Sequence, residues 1–207
     1  MKLLLGRKDQ LIVLSLFVIC LASYTTIAQT EKPSPQPSPA ATPQPAATPS
    51  PPPPANPADV SSIDAIINAV YEVHSGDPGK KRDWDRMRSL FVPGARLILP
   101  AQPRVPGGYG WRVAAVDEYV KRVFPVLEQE GFFEKEVGRR TESWKNIAQA
   151  YSAYESRRKA DDPKPFMRGI NSFQLINDGQ RWWIVTVMWQ NEDEKHLLPD
   201  EILKKPK

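Results

Sequence analysis

The chain has 207 residues, enough for one well-formed hydrophobic core but too few for two large ones. Its hydrophobic fraction of 41% and charged fraction of 25% are typical of globular proteins, but it has 22 prolines, of which twelve lie between Pro33 and Pro57. The formal net charge is +4, and residues 58–207 hold 24 basic and 22 acidic residues, so the sequence lacks the basic surface of a nucleic-acid-binding domain and we expect no such partner.

Residues 1–28 have the layout of a secretory signal peptide. Three basic residues lie within the first eight positions, and residues 11–22 form an apolar run. That run is shorter than the about 20 residues that span a bilayer. Thr26-Ile27-Ala28 places small residues suitably for cleavage before Gln29, so we expect an exported protein, periplasmic or secreted. The alternative is an uncleaved anchor at residues 11–28 that tethers the protein to the inner membrane.

Cys20 is the only cysteine, and cleavage of the signal peptide removes it. The mature protein then has no disulfide, no thiolate nucleophile and no cysteine metal ligand. Lipid attachment at Cys20 is the weaker alternative, because Ile19 stands where such processing prefers a small residue.

Residues 29–58 are rich in proline, alanine, serine and threonine and contain no hydrophobic side chain larger than alanine or proline. Such a segment cannot form a core, and proline favours an extended conformation. We therefore predict a disordered linker here.

Amphipathic helices open the folded domain, which we place at residues 59–192. The first helix is predicted to be capped by Ser61 or Ser62 and stopped by Gly76 and Pro78. Its buried stripe has the spacing of one helix face and consists of Ile63, Ile66, Ile67, Val70, Tyr71 and His74.

A second, shorter helix is predicted at residues 83–91, with Asp83 as its N-cap. A strand is expected at residues 95–99. Residues 100–111 contain too many prolines and glycines for regular structure, so we predict a loop at the rim of the domain.

A third helix is predicted from the apolar stripe between Val116 and Leu127, and Pro125 is expected to kink or end it. From Phe132 onward four segments have the composition of antiparallel strands. Residues 193–207 form a charged tail that we expect to fray. Helices followed by a run of strands indicate the α+β class.

The last two strands are predicted to form a hairpin around Asp178-Gly179, a sequence typical of two-residue type I′ turns. In that register Asn177 pairs with Gln180, and every further pair follows from this one.

The register predicts which tryptophans share a face. Trp182 lies with Leu175 on a face of core character. Trp183 and Trp189 lie on the other face, where Arg168 stands opposite Trp189 and is expected to stack on its ring. A sheet with apolar groups on both faces predicts a cavity or a subunit interface.

Two stretches, DWDRMRSLFVPGARLIL at 83–99 and NDGQRWWIV at 177–185, together with the element order, make residues 60–192 resemble the nuclear-transport-factor-2-like superfamily in its SnoaL-like form. The resemblance implies a cone-shaped fold with three N-terminal helices packed on a curved antiparallel sheet. It also implies a pocket inside the cone and, often, a homodimer formed through the sheet. Superfamily members include isomerases, cyclases, dehydratases and non-catalytic binding modules, so the fold does not choose the function.

The histidines do not indicate a definite catalytic reaction. His74 continues the apolar stripe of the first helix, where the helix dipole is expected to favour its protonated form; it either caps carbonyl groups there or serves as a base. His196 lies in the charged tail. Related enzymes often have a histidine in the last strand, where this chain has Thr186 and Met188.

The spacing of the carboxylates along the sequence does not predict a catalytic pair. Glu142 and Glu155 have basic neighbours and are expected to form surface ion pairs. No group of His, Asp and Glu has metal-ligand spacing, so we predict no metal and no cofactor.

Residues expected to converge on the pocket form a candidate recognition set, in which Arg168 either pairs with an anionic ligand or packs on Trp189 at an interface. The set is Tyr71, His74, Tyr154, Arg168, Asn171 and Trp189.

The sequence favours a non-catalytic module that binds a small, partly apolar ligand or a protein partner. One alternative is a lyase or isomerase that acts through His74 or a pocket carboxylate on a polyketide- or steroid-like substrate. The other is a structural dimer tethered to the membrane.

Overall fold

The computed structural model describes residues 51–103 and 108–203 of the chain. The predicted signal peptide and most of the predicted linker lie outside these residues. The elements, in chain order, are α1 (Pro57–Val60), α2 (Ile63–His74), α3 (Trp84–Ser89), β1 (Phe91–Pro103), β2 (Tyr109–Ala115), α4 (Val116–Glu130), β3 (Phe133–Trp144), β4 (Ile147–Arg157), β5 (Met167–Asn177), β6 (Trp182–Asn191) and α5 (Asp200–Leu203).

Both predicted N-terminal helices are present with the predicted caps. The Ser62 side chain accepts a hydrogen bond from the backbone of Ala65, and the Asp83 side chain accepts one from the backbone of Arg86. The helix dipole and the unpaired N–H groups at a helix start favour these acceptors. The predicted stripe of α2 is buried apart from Ile63, which packs at its edge.

Helix α4 excludes one of the two effects predicted for Pro125. It continues through Pro125 to Glu130, so Pro125 does not end it. Val120, Phe124 and Leu127 are buried on one face, and this apolar contact outweighs the one backbone hydrogen bond that Pro125 cannot donate.

The six strands form one sheet in the order β2-β1-β6-β5-β4-β3. The resemblance implied an antiparallel sheet, but β1 and β6 pair in parallel, so that expectation is wrong at this pair. The other pairs are antiparallel. The class is α+β, as predicted, with α2, α3 and α4 packed around one sheet face.

The predicted rim loop is largely a strand pair. Strand β1 runs to Pro103 and β2 begins at Tyr109, with Gln102 paired to Gly110. A register shift between Leu99 and Gln102 accommodates the irregular stretch, which shows that cross-strand pairing overrode the proline and glycine content.

The final hairpin is not closed by a two-residue turn. Asn177 pairs with Trp182, so the loop has four residues, Asp178 to Arg181. Only Gly179 among them has a positive φ, of 95°, whereas a type I′ turn needs two such residues. The Asp178 carboxylate instead accepts the backbone N–H groups of Gln180 at 2.8 Å and Arg181 at 2.9 Å.

A bulge in β6 then exchanges the two faces of the strand. Leu175 pairs with Ile184, but the next residue of β5, Gln174, pairs with Thr186, which leaves Val185 as an extra residue. The longer loop shifts the register by two and preserves the faces, whereas the extra residue shifts it by one and exchanges them.

The predicted grouping of the tryptophans is therefore wrong beyond the bulge. Trp189 pairs with Asn171, not Arg168, and lies on the inner side of the sheet, as does Trp182. Trp183 lies apart from both: its ring packs 3.6 Å below the Arg181 guanidinium, and its indole N–H donates to Asp178 at 2.7 Å.

The C-terminal tail does not fray between residues 198 and 203. Leu198 and Ile202 are buried against Ala153 on the outer face of the sheet, with Val137, Tyr151, Ile170 and Leu203 packed around them. Burial of these apolar side chains stabilises the position of an otherwise charged segment.

The end of the predicted linker also contacts the domain. Helix α1 begins at Pro57, Ala55 packs against the core, and Asp59 accepts two hydrogen bonds from Arg86 at 2.8 and 2.9 Å. Within residues 51–103 and 108–203, none of the helices combines the length and apolar character needed to cross a bilayer.

Candidate functional site

A cavity of about 200 Å³ lies between the helices and the inner face of the sheet. Its wall is mainly apolar and is interrupted by a few polar groups. The lining residues are Val70, His74, Met87, Phe91, Leu97, Tyr119, Val123, Leu127, Phe132, Glu134, Tyr154, Met167, Asn171, Phe173, Val187 and Trp189.

Glu134 is placed in this wall by backbone contacts at the end of α2. Gly76 and Phe132 exchange two backbone hydrogen bonds, of 2.7 and 3.0 Å. The hydroxyl oxygen of Ser75, the C-cap of α2, accepts the backbone N–H of Glu134 at 3.0 Å. Because side chains two apart on a strand share a face, Glu134 points the same way as the buried Phe132.

The carboxyl group of Glu134 is uncharged at neutral pH. Burial raises its pKa to about 8, and a hydrogen bond with Asn171 only partly opposes the rise. None of the described residues lining the cavity is Lys or Arg, so the wall supplies no cation to favour the charged form. A protonated carboxyl in an apolar cavity can donate a hydrogen bond or a proton.

His74 is buried and neutral, contrary to the expectation that the helix dipole would favour its protonated form. Burial lowers its pKa to about 4, with a further contribution from the nearby Arg82. Its Nδ1 lies 2.7 Å from the carbonyl oxygen of Val70, which can only accept, so Nδ1 carries the proton. Nε2 is then an acceptor, and the Tyr119 hydroxyl at 3.0 Å donates to it.

A chain of hydrogen bonds leads from the cavity wall to Glu136. Asn171 Nδ2 donates to the Tyr71 hydroxyl at 3.2 Å, and Tyr71 lies 2.6 Å from Ser152 Oγ. Ser152 in turn donates to a carboxylate oxygen of Glu136 at 2.6 Å. Because the Ser152 hydroxyl donates its hydrogen to Glu136, Tyr71 must donate to Ser152. The Tyr71 oxygen is then an acceptor, so the Asn171 amide is oriented with its NH₂ group toward Tyr71.

Two aromatic residues complete the polar part of the wall. The buried Tyr154 hydroxyl donates to Asn191 Oδ1 at 2.8 Å. Trp189 meets the ring of Tyr119 edge to face, with ring centroids 5.8 Å apart, and also borders an apolar groove on the outer face of the sheet. Burial raises the pKa of Tyr119 and of Tyr154 above the ordinary value, so both hydroxyls remain protonated.

Arg168 stands apart from the cavity. Its guanidinium lies 3.1 Å from a carboxylate oxygen of Glu192 and 3.5 Å from one of Glu155. These carboxylates neutralise it, so Arg168 neither stacks on Trp189 nor faces an anionic ligand in the cavity. Glu155 also pairs with Arg157 at 2.9 Å, and Glu142 lies 3.7 Å from Arg140, which confirms the expected ion pairs.

Of the six residues in the predicted recognition set, His74, Tyr154, Asn171 and Trp189 line the cavity. Tyr71 lies one hydrogen bond behind Asn171, and Arg168 lies outside.

Glu134 and Tyr119 line the cavity but do not belong to the predicted recognition set. For Glu134 a signal was present: Phe132, Glu134 and Glu136 alternate at the start of a strand, so a buried Phe132 brings a carboxyl onto the inner face. Tyr119 lies on the apolar stripe predicted for the third helix, and only the distance between its hydroxyl and His74 reveals its polar role. Among the described residues, no group of three or more His, Cys, Asp or Glu side chains is placed to hold a metal ion.

Several solved structures are similar to the chain. An NTF2-like protein of unknown function from Shewanella baltica OS155 is 17% identical, with a TM-score of 0.42, over 64% of this chain and 92% of that one. A protein of unknown function with a cystatin-like fold from Nostoc punctiforme PCC 73102 is 10% identical, with a TM-score of 0.46, over 62% and 90%. A candidate ketosteroid isomerase from Parabacteroides distasonis ATCC 8503 is 12% identical, with a TM-score of 0.42, over 65% and 91%.

The first of these structures carries the NTF2-like description expected from the sequence, and the likeness concerns the fold alone. No family model matches the chain, and no curated protein matches it.

Proposed function

We propose that this protein binds a small, mainly apolar molecule in the cavity between α2, α3, α4 and the sheet. The observation that carries the proposal is an apolar wall in which a few polar groups converge: Glu134, Tyr119, Tyr154 and Asn171. This combination is the usual composition of a small-molecule site. We further propose that the helices and sheet form the cone-shaped, SnoaL-like variant of the fold, in which α2, α3 and α4 are the three helices packed on the sheet.

The cavity volume limits the ligand to about one ring. A cavity of about 150 Å³ inside a protein holds one benzene molecule, and this one measures about 200 Å³. A steroid has four fused rings and exceeds that volume. The size therefore favours single-ring ligands over the polycyclic substrates considered from the sequence.

Identification of a bound molecule tests the proposal directly. The full chain is purified and analysed by native mass spectrometry, then denatured so that any released compound can be identified. We expect a neutral compound of single-ring size, at a reduced amount in Trp189→Ala. The proposal would be contradicted if no compound co-purified with the chain and no one-ring probe bound to it measurably.

Glu134 supports a second function, proton transfer to or from the bound molecule. A carboxyl in an apolar cavity with a pKa of about 8 is suited to general acid–base catalysis near neutral pH. It is the pocket carboxylate that the enzymatic alternative required. In this reading the carboxylate form of Glu134 removes a proton from a carbon next to a carbonyl group.

Deuterium exchange tests this function without knowledge of the natural substrate. The methyl protons of acetophenone are followed by NMR in D₂O with the full chain present. We expect faster exchange whose rate rises as the pH passes about 8, since the base is the ionised Glu134. Glu134→Gln should abolish the acceleration, whereas Glu142→Gln, on the exposed part of β3, should leave it intact. Equal rates for Glu134→Gln and the unaltered chain would exclude the role.

We also propose that two copies associate through the outer face of the sheet. Trp111, Val113 and Met188 are 68%, 48% and 48% exposed there, and they border one apolar groove. Met188→Lys should shift the chain to a monomer in sedimentation velocity, while Leu197→Lys, at an exposed residue outside the groove, should not. A monomeric unaltered chain would contradict the dimer.

Export remains our proposal for the location of the protein, with residues 1–28 as the cleaved signal. N-terminal sequencing of the exported chain should begin at Gln29. A chain that retains residues 11–28 would instead support the membrane tether.

A further inference from the structure

The hydroxyl protons of both tyrosines in the cavity wall are already committed to protein acceptors. Tyr119 donates to Nε2 of His74, because Nδ1 of His74 must donate to the Val70 carbonyl. Tyr154 donates to Asn191. Each hydroxyl oxygen still has a lone pair, so both tyrosines can offer only acceptors to a ligand.

The donors that remain for a ligand are few. Asn171 directs its NH₂ group at Tyr71 and Glu134. The Glu134 carboxyl, protonated at neutral pH, can donate through its O–H and accept through its carbonyl oxygen. No Lys or Arg belongs to the described part of the wall, so a ligand anion has no counter-charge.

We propose that the ligand is a neutral, single-ring molecule whose polar end carries a hydrogen-bond donor beside an acceptor, as in a primary aromatic amide or a lactam. The donor is required by the tyrosine oxygens and the acceptor by the carboxyl O–H of Glu134. This inference rests on the proposed function of the cavity as a small-molecule site, and it adds the chemical class.

A series of matched probes tests the class by isothermal titration calorimetry with the full chain at pH 6.5. Benzamide has a donor and an acceptor, acetophenone an acceptor only, toluene neither, and benzoate a negative charge. We expect the Kd of benzamide to be at least about fivefold lower than that of acetophenone, because an unpaired buried acceptor weakens binding. Benzoate should bind no better than toluene.

Variants locate the preference in the wall. Tyr119→Phe removes one acceptor oxygen and should reduce the preference for benzamide over acetophenone, while toluene binding reports that the cavity is intact. Tyr154→Phe is the second such variant. Tyr151→Phe, on the outer face of the sheet, is the control and should keep the preference.

The outcomes separate the two proposals. If toluene, acetophenone and benzamide all fail to bind, the small-molecule site itself is excluded. If acetophenone binds the unaltered chain as tightly as benzamide, or benzoate binds best, the class is wrong while the site stands. These comparisons use the unaltered chain, so they decide the class even if a tyrosine variant fails to fold.

Discussion

Glu134 and His74 face the same cavity and make stability depend on pH in opposite directions. The folded pKa of Glu134, about 8, lies above its ordinary value of 4.5, so stability falls as the pH rises from 4.5 toward 8. The folded pKa of His74, about 4, lies below its ordinary value of 6.5, so stability falls as the pH drops from 6.5 toward 4. Together these two groups favour folding most in mildly acidic solution.

Glu134→Gln should remove the loss of stability that accompanies a rise in pH. The amide keeps the shape of the protonated carboxyl and cannot ionise, so the variant should match the unaltered chain near pH 5 and exceed it near pH 9. The difference is at most about 5 kcal/mol, from about 1.4 kcal/mol per pKa unit. Urea unfolding across this range measures it, with Glu142→Gln as control. Parallel curves for Glu134→Gln and the unaltered chain would show that Glu134 ionises freely in the folded state.

His74→Phe should remove the loss of stability at acid pH. Stability between pH 6.5 and 4 should become flatter, because the variant lacks the buried imidazole that must take up a proton on unfolding. At pH 7 it should be about 1–3 kcal/mol less stable, since the Tyr119 hydroxyl loses its acceptor. The exposed His196, changed to Gln, is the matched control. An unchanged acid slope in His74→Phe would mean that another group causes it.

At this scale the sequence identified His74, because an amphipathic stripe determines which helix positions are buried. It could not identify the Tyr119 hydroxyl as the partner of His74, since that contact joins two helices 45 positions apart. The protonation state of His74 could not be predicted from the sequence either. Burial and the dipole act in opposite directions, and only the packed structure shows that burial prevails.

At the scale of elements, the bulge at Val185 turns Trp189 toward the cavity, while Trp183, before the bulge, stays outside it. Trp189→Ala should weaken benzamide or toluene binding about tenfold or more, because it removes a wall of the cavity, and should cost about 1–3 kcal/mol of stability as a partly buried residue. Trp183→Ala should leave binding unchanged. Calorimetric titration of both variants compares them. Equal losses of affinity would place both rings on the ligand.

Helices were more predictable than strand register for a physical reason. The stripes of α2 and α4 repeat over three turns or more, so one irregular residue such as Pro125 does not alter the pattern. A single extra residue in β6 reverses every later side chain, and nothing in the local sequence marks Val185 as that residue. The loop predicted at residues 100–111 was wrong for a similar reason, because strand pairing there depends on the partner strand and not on the composition of the segment.

At the scale of the whole molecule, the C-terminal segment closes part of the outer sheet face. Leu198→Ala should lower the free energy of unfolding by about 2 kcal/mol or more, because Leu198 is buried against Ala153. Leu197→Ala, at the neighbouring residue that is 71% exposed, should change it by less than about 0.5 kcal/mol. Chemical denaturation of both variants makes the comparison, and equal effects would show that the segment does not pack in solution.

The parallel pairing of β1 with β6 has a consequence for how the chain is made. Strand β6 lies between β1 and β5, so without it the sheet consists of two separate pieces, β2-β1 and β5-β4-β3. The ribosome synthesises β6 last of the six, and contacts between such distant segments form slowly. We therefore expect the sheet to stay in two pieces until β6 has emerged. Such a delay would suit the export proposed above, because a polypeptide must thread through a translocation channel before it folds.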